Sequence, residues 1–563
     1  MRGTLRVGVV LVTAVGFVLA GVAPAVGGGN STAVMSSGDE HAPPDPSSDR
    51  LGWEDGYWYN ESVDVNQSDG VSRAEFNATV SRAMARVERI RRLEFKQRPD
   101  VRFLTEAEYQ EIREESRARR VNVTSADRTH QNVKFEALFL VGENRDYFAE
   151  QAANAQTNVP LAFTVTGESP VLEERGLSVG DVAIIRSEGE IPRIEETTLA
   201  HELVHVLQTQ YYNVTTPASR RTEDAALAFG GVVEGDATYL DGRYGSRCEA
   251  TWDCLSTSDG PPSNVANLGL VMYGQTIYAE GPGLVESVES QDGWVGVGQL
   301  YETPPQTTEQ LIHPETYPDD AGRDVQVEDR SGDAWRVLDI QNGVDYATFG
   351  EAGIFIMLYY PSYQSRSEVV MRPGYPFENT GPGFYNLDHP ASAGWDGDKL
   401  YPYVSDAAGE NETGYVWKTT WDSETDAREF AVAYRQVLEH RGARQAQGAD
   451  NAYVIRDSPG SAEFEDAFAV TVEGDTVTIV NAPTLDDLNG VRSGVVPADV
   501  RTPSPTPTST PFGGSSPSAT ETETTTPAGT PASPTASSGQ PGFGALTALL
   551  ALIAMAVAVR RLR

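Results

Sequence analysis

Apolar residues between Ser72 and Phe95 recur at three- and four-residue steps (Phe76, Val80, Ala83, Val87, Ile90), which predicts an amphipathic helix with one face against a core. A short strand over Val101–Leu104 and a charged helix over Glu106–Arg119 follow, then strands over Glu136–Leu140 and Val182–Arg186. The next helix opens after Pro192, with Glu195 and Glu196 where the helix dipole favours acid, and carries Leu199, Leu203, Val206 and Leu207 on its apolar face. Another runs Thr222–Tyr239, with Ala226, Phe229, Val233, Ala237 and Leu240 as its core stripe. Later, Ala467–Val472 and Thr476–Val480 flank Gly474-Asp475 and read as a hairpin. No fixed-period repeat is visible. The fold class is α+β: a helical N-terminal region (51–130) covering a mixed central domain (131–320), then a C-terminal α+β domain (325–490).

The two ends break this pattern. Arg2 and Arg6 precede an apolar run over Val7–Ala20 and the small residues Ala23-Pro-Ala25, the order of a secretory signal ending near residue 28. Residues 29–50 are polar and Pro-rich, a composition expected to stay disordered. Residues 497–540 are almost entirely Thr, Ser, Pro, Gly and Ala, too poor in apolar surface to offset the entropy of ordering, and read as an extended stalk. After it come Pro541-Gly542-Phe543, an apolar run from Gly544 to Val559, and Arg560-Arg561-Leu562-Arg563. That run is shorter than the about 20 residues of a permanent membrane span. The tail (541–563) resembles the PGF-CTERM sequence of archaeal surface proteins in tripeptide, short helix and basic end. The resemblance implies archaeosortase processing and a lipid anchor; an ordinary spanning anchor is the alternative. In both cases the body of the chain sits outside the cell.

Composition narrows the partners. The net charge is −38, from 81 acidic and 43 basic residues, which repels nucleic acid and anionic membrane surface. It suits concentrated salt, where the Debye length falls to about 3 Å at 1 M and self-repulsion is screened. With the archaeal tail, this points to a halophilic source. Membrane contact is then expected only through the C-terminal anchor or its lipid. Cys248 and Cys254 lie close together in an exported chain, so a disulfide closing a small loop is expected. Asn30, Asn60, Asn66, Asn77, Asn122, Asn213 and Asn411 stand in glycosylation sequons, as befits an exterior location.

The candidate chemistry lies at Leu199-Ala-His201-Glu202-Leu-Val-His205-Val-Leu-Gln208. On a helix His201 and His205 stack one turn apart and can share one Zn²⁺, while Glu202 can act as general base on a water that the metal activates. A third protein ligand is needed, with the fourth position left open. The metzincin pattern would put Gly at 208 and His at 211, where this chain has Gln208 and Tyr211; that class is excluded. Glu234, in Val232-Val-Glu234-Gly-Asp236-Ala-Thr-Tyr239, is the leading third ligand, because Gly230 and Gly231 one turn earlier permit close approach to the histidine helix. Glu223, Asp224 and Asp236 compete, and Asp236 can instead hold a ligand histidine from behind. His313, Tyr273 and Tyr278 are candidates for stabilising an oxyanion.

The two-helix arrangement resembles zincin metallopeptidases of the gluzincin type, in which a Glu on a second helix completes His-Glu-x-x-His. Similar blocks occur in exported archaeal and bacterial proteins reading His-Glu-Leu-x-His-x-Leu-Gln and Glu-Gly-Asp/Glu-Ala-Thr, matched here at His201–Gln208 and Glu234–Thr238. With its Trp53–Tyr59 opening and its tail, the chain resembles a haloarchaeal surface-protein family over nearly its whole length. The motifs at Gly394-Trp395-Asp-Gly-Asp398 and from Trp421-Asp422 to Phe430 recur in that family and are expected to serve packing. The family resemblance implies location and architecture but no established substrate; with the zinc motif, the expected activity is that of a surface-tethered zinc peptidase acting on peptides or proteins, the edge strand Val182–Arg186 aligning the substrate. Two alternatives stay open: a structural envelope glycoprotein, and a module that binds a partner through its C-terminal region.

Overall fold

The computed structural model describes residues 43–502, apart from 120–122, 158, 215–221, 258–264, 342, 406–411 and 457–462. The signal, most of the stalk, the tail, Asn30, Asn122 and Asn411 lie outside the described residues. Among those described, no helix is long and apolar enough to cross a membrane. The fold is α+β.

A small hairpin, β1 (Trp53–Glu54) and β2 (Tyr57–Trp58), leads into α1 (Arg73–Arg91). Ser72 and Glu75 close a reciprocal capping box at the start of α1, satisfying amides that the helix itself leaves unpaired. Then come β3 (Val101–Thr105), α2 (Glu106–Arg119), α3 (Ser125–Ala137), α4 (Tyr147–Thr157), β4 (Ala162–Thr164), α5 (Pro170–Glu173) and β5 (Val182–Arg186). These strands form one sheet in the order β3-β5-β4, with β3 parallel and β4 antiparallel to β5. The strand predicted at Glu136–Leu140 is instead the end of α3 and a turn. Its apolar residues all face a core, and a fully buried run has no period to separate strand from helix.

The two central helices are α6 (Glu196–Tyr211) and α7 (Glu223–Ala250), the latter capped by the Thr222 hydroxyl and longer than predicted. One core joins Val80, Met84 and Val87 of α1 with Leu203 and Val206 of α6 and Leu240 of α7. Buried ion pairs reinforce it: Arg82 and Arg86 hold Glu196, and Arg91 holds Asp236. The N-terminal helix is thereby part of the core around α6 and α7. The Cys248–Cys254 disulfide forms at the end of α7.

Short helices α8 (Leu268–Gly274) and α9 (Thr276–Ala279) lead to α10 (Gly281–Gln299), which breaks at Gly293, and to α11 (Glu309–Ile312). The remaining strands are β6 (Trp335–Val337), β7 (Trp395–Ser405), β8 (Thr413–Trp421), β9 (Arg444–Gln445), β10 (Ala452–Val454), β11 (Ala467–Glu473) and β12 (Thr476–Ala482). They make an antiparallel sheet in the order β6-β7-β8-β12-β11-β10-β9. Alternation splits it into two faces: Trp417, Val477 and Ile479 meet the core of α12 (Gly350–Ser365) and α13 (Glu424–His440), while Val416, Val480 and Ala482 meet α14 (Leu485–Val491). Trp395 and Trp421 are buried, and the Asp398 carboxylate accepts from the Phe349 and Gly350 amides at the start of α12 and from Trp417 Nε1, all packing roles. The α12 core also takes in Val133–Val141 of the central region, so the two regions share apolar packing.

Candidate metal centre

His201 and His205 lie one turn apart on α6, and Glu234 faces them from α7. The two Nε2 atoms are 3.2 Å apart, and Glu234 Oε2 is 3.5 Å from His201 Nε2 and 3.3 Å from His205 Nε2. A tetrahedral ion held at 2.0–2.1 Å separates its ligand atoms by about 3.3 Å, so the triangle has the edge length such an ion requires. Glu234 Oε2 is buried and, among the described residues, makes no hydrogen bond of good geometry, an expensive arrangement unless a cation or proton sits among the three groups. The donor set, two imidazoles and one carboxylate, suits zinc. His201 is the more open histidine, its side chain 15% exposed against 3% for His205.

The electrostatics agree with a centre built for positive charge. Burial alone would lower the pKa of His205, but the Glu234 and Glu202 carboxylates outweigh it and raise it to about 9. Burial would raise Glu234, yet the two histidines hold it far below the ordinary carboxylate range. Gln208 orders His205 from behind. Its Nε2 donates to the Val233 carbonyl at 2.8 Å, which turns its Oε1 toward His205 Nδ1 at 2.8 Å. That oxygen can only accept, so Nδ1 carries a proton and Nε2 points toward Glu234.

Glu202 is buried beside this triangle. The Thr164 hydroxyl, on edge strand β4, lies 2.7 Å from Glu202 Oε2 and 3.0 Å from the Glu202 carbonyl. Tyr278 on α9 puts its ring 6.5 Å from the His201 ring. Burial, then the Glu234 and Glu202 carboxylates, push its hydroxyl pKa well above the ordinary value, so it remains a donor. Asp241, two turns beyond Glu234 on α7, lies within electrostatic reach of His201; burial lifts its pKa to about 6 against that histidine's pull.

Other candidates have different places. Asp236 binds Arg91 and accepts from Tyr301 at 2.8 Å, while it is Gln208 that holds His205. Asp224 accepts from the Thr308 amide and hydroxyl, and Glu223 pairs with Lys134. His313 pairs with Glu351 at 3.2 Å and Glu315 at 3.8 Å, not with any of the three predicted ligands. Tyr273 donates to the Phe349 carbonyl. Gly230 and Gly231 face Ile277 and Leu311, so their lack of bulk admits α9 and α11, not α6. Strand Val182–Arg186 is central in its sheet and its backbone is paired on both sides; the edge beside α6 is β4. Thr164 and Asp241 went unread in the sequence because neither stands in a motif. Gln208 lay inside the quoted block, where its spacing from His205 was the available signal. Of the sequons, Asn66, Asn77 and Asn213 are exposed, whereas Asn60 turns its side-chain oxygen inward.

A family described as a domain of unknown function (DUF8575) matches residues 336–492, from β6 to the end of α14 and beyond the metal-centre residues in sequence. No curated protein and no solved structure matches the chain.

Proposed function

We propose that the chain is a zinc metallopeptidase of the gluzincin type, tethered outside the cell by its C-terminal tail. The observation that carries the reading is the triangle of His201, His205 and Glu234, 3.2, 3.3 and 3.5 Å on its sides, with the buried Glu234 oxygen otherwise unpaired. Bound there, zinc supplies a Lewis acid and makes water acidic enough to lose a proton near neutral pH. Glu202, oriented by Thr164, takes that proton and later returns it to the leaving amine. The Tyr278 hydroxyl donates to the oxygen that turns negative as a peptide carbonyl is attacked. The outer edge of β4, which pairs with no other strand among the described residues, offers main-chain hydrogen bonds to an extended peptide. The signal-like start, the hydroxyl-rich stalk and the Pro541-Gly542-Phe543 tail support the external location.

Zinc content and turnover of an unselective peptide substrate, measured on the same preparations in high salt, test this. The wild type is expected to hold one zinc per chain. Glu202→Gln keeps the zinc and loses turnover by about 10²- to 10⁴-fold, and Glu234→Gln loses both. Retained turnover in Glu202→Gln sinks the mechanism. A wild type that takes up no zinc sinks the metal reading and leaves the envelope-structural role.

A further inference from the structure

Tyr278 sits on a helix of one turn, too short to hold itself in place. What fixes α9 therefore decides where its hydroxyl lies. On one side α7 does this, through Gly230 against Ile277 and Gly235 against Gly281. On the other side lies a segment of the C-terminal region, Gly383–Leu387. Gly383 rests so closely on the Ala279 carbonyl that a Cβ there would overlap it. Four residues later the Leu387 amide donates to Glu280 Oε1 at 2.7 Å, with the Leu387 side chain fully buried. The two residues that follow Tyr278 are thus each gripped by this segment.

We propose that Gly383–Leu387 is a positioning strap: the C-terminal region uses it to seat Tyr278 beside His201, and so helps build the metal centre. This rests on the metal reading above. It gives residues 336–492 a role in the site without any of them reaching the metal, and it argues against that region being a separable partner-binding module. Gly383, Leu387 and Glu280 act through Tyr278, so they are positioning residues.

The test uses the full chain loaded with Co²⁺ in place of zinc, whose visible absorption reports the ligand sphere without any substrate. Tyr278→Phe is expected to alter the spectrum, because its ring lies 6.5 Å from that of His201 and its hydroxyl interacts electrostatically with Glu234. Gly383→Ala is expected to produce the same alteration and, combined with Tyr278→Phe, to add nothing further. On a peptide substrate, Gly383→Ala lowers kcat by about 10- to 100-fold with KM unchanged. If Gly383→Ala fails to fold, Glu280→Leu, which removes the acceptor for Leu387, carries the test, with Glu280→Gln restoring the wild-type spectrum through its carbonyl oxygen. A wild-type spectrum in folded Gly383→Ala or Glu280→Leu overturns the strap, as does additivity with Tyr278→Phe. Failure of the wild type to take up cobalt overturns the metal reading itself, and the strap with it.

Discussion

Helices α6 and α7 carry two buried charge clusters of opposite character. At the first turn of α6, Glu196 is fully buried, yet each of its oxygens is met: Arg86 and Tyr244 donate to Oε1, Arg82 and the Leu255 amide to Oε2. Farther along the same helices, Glu234 is also buried; its Oε2 faces the His201 and His205 imidazoles, with the Tyr278 hydroxyl nearby, yet makes no hydrogen bond of good geometry among the described residues. A satisfied buried charge cements structure, whereas an unsatisfied one needs a further positive species to be tolerable. The contrast separates scaffold from site, although both clusters combine acidic groups with cationic or protonatable partners.

Breaking the satisfied cluster has the largest expected effect. Glu196→Ala leaves two buried arginines unpaired and is expected to cost about 3–5 kcal/mol in urea unfolding, with or without metal. An equal loss in Glu234→Ala measured without metal would erase the distinction between the clusters.

Gln208→Ala sharpens it from the other side. The fold is expected to survive, while zinc affinity, measured by competition with a chelator, falls by about 10- to 100-fold as His205 loses the acceptor that fixes its ring. Unchanged affinity would mean that the helix alone orients the histidine.

The smallest effect concerns a third cluster, in which a proton is the positive species. Glu54 and Glu88 are both buried, and burial, reinforced at Glu54 by its neighbour, raises them to about 9 and about 7. Their folded values exceed the unfolded one, so the fold binds more protons, and stability present at low pH is lost as pH rises from about 4.5 towards 9. Glu54→Gln is expected to flatten that decline and to leave the variant more stable than wild type at pH 9. A steeper decline in thermal unfolding would refute the shared-proton reading.

Much of this was legible one element at a time. Spacing located α1 through Val80, Ala83 and Val87, and alternation located the β11–β12 hairpin, because each pattern reports one solvent-facing side. The His201–His205 pair was readable for the same reason: four residues are one helical turn. Residues that serve the site from elsewhere were not. Thr164 reaches Glu202 from a strand 38 positions away, and nothing local marks a threonine for that task. Asp236, two positions from Glu234, stood as a competing carboxylate until its partners proved to be Arg91 and Tyr301.

By itself the sequence determined the local chemistry: which helices form, that two imidazoles and one intervening carboxylate share a turn, and that the chain carries a large negative charge. These follow from short-range geometry, where spacing along the chain translates directly into direction in space. Only the tertiary structure decided which carboxylate meets the histidines, that β4 and not β5 offers a free edge, and that a strap from beyond residue 380 grips the helix of Tyr278. Those relations depend on how separate elements pack. Packing is set by many weak apolar contacts summed over the core, which no single spacing encodes.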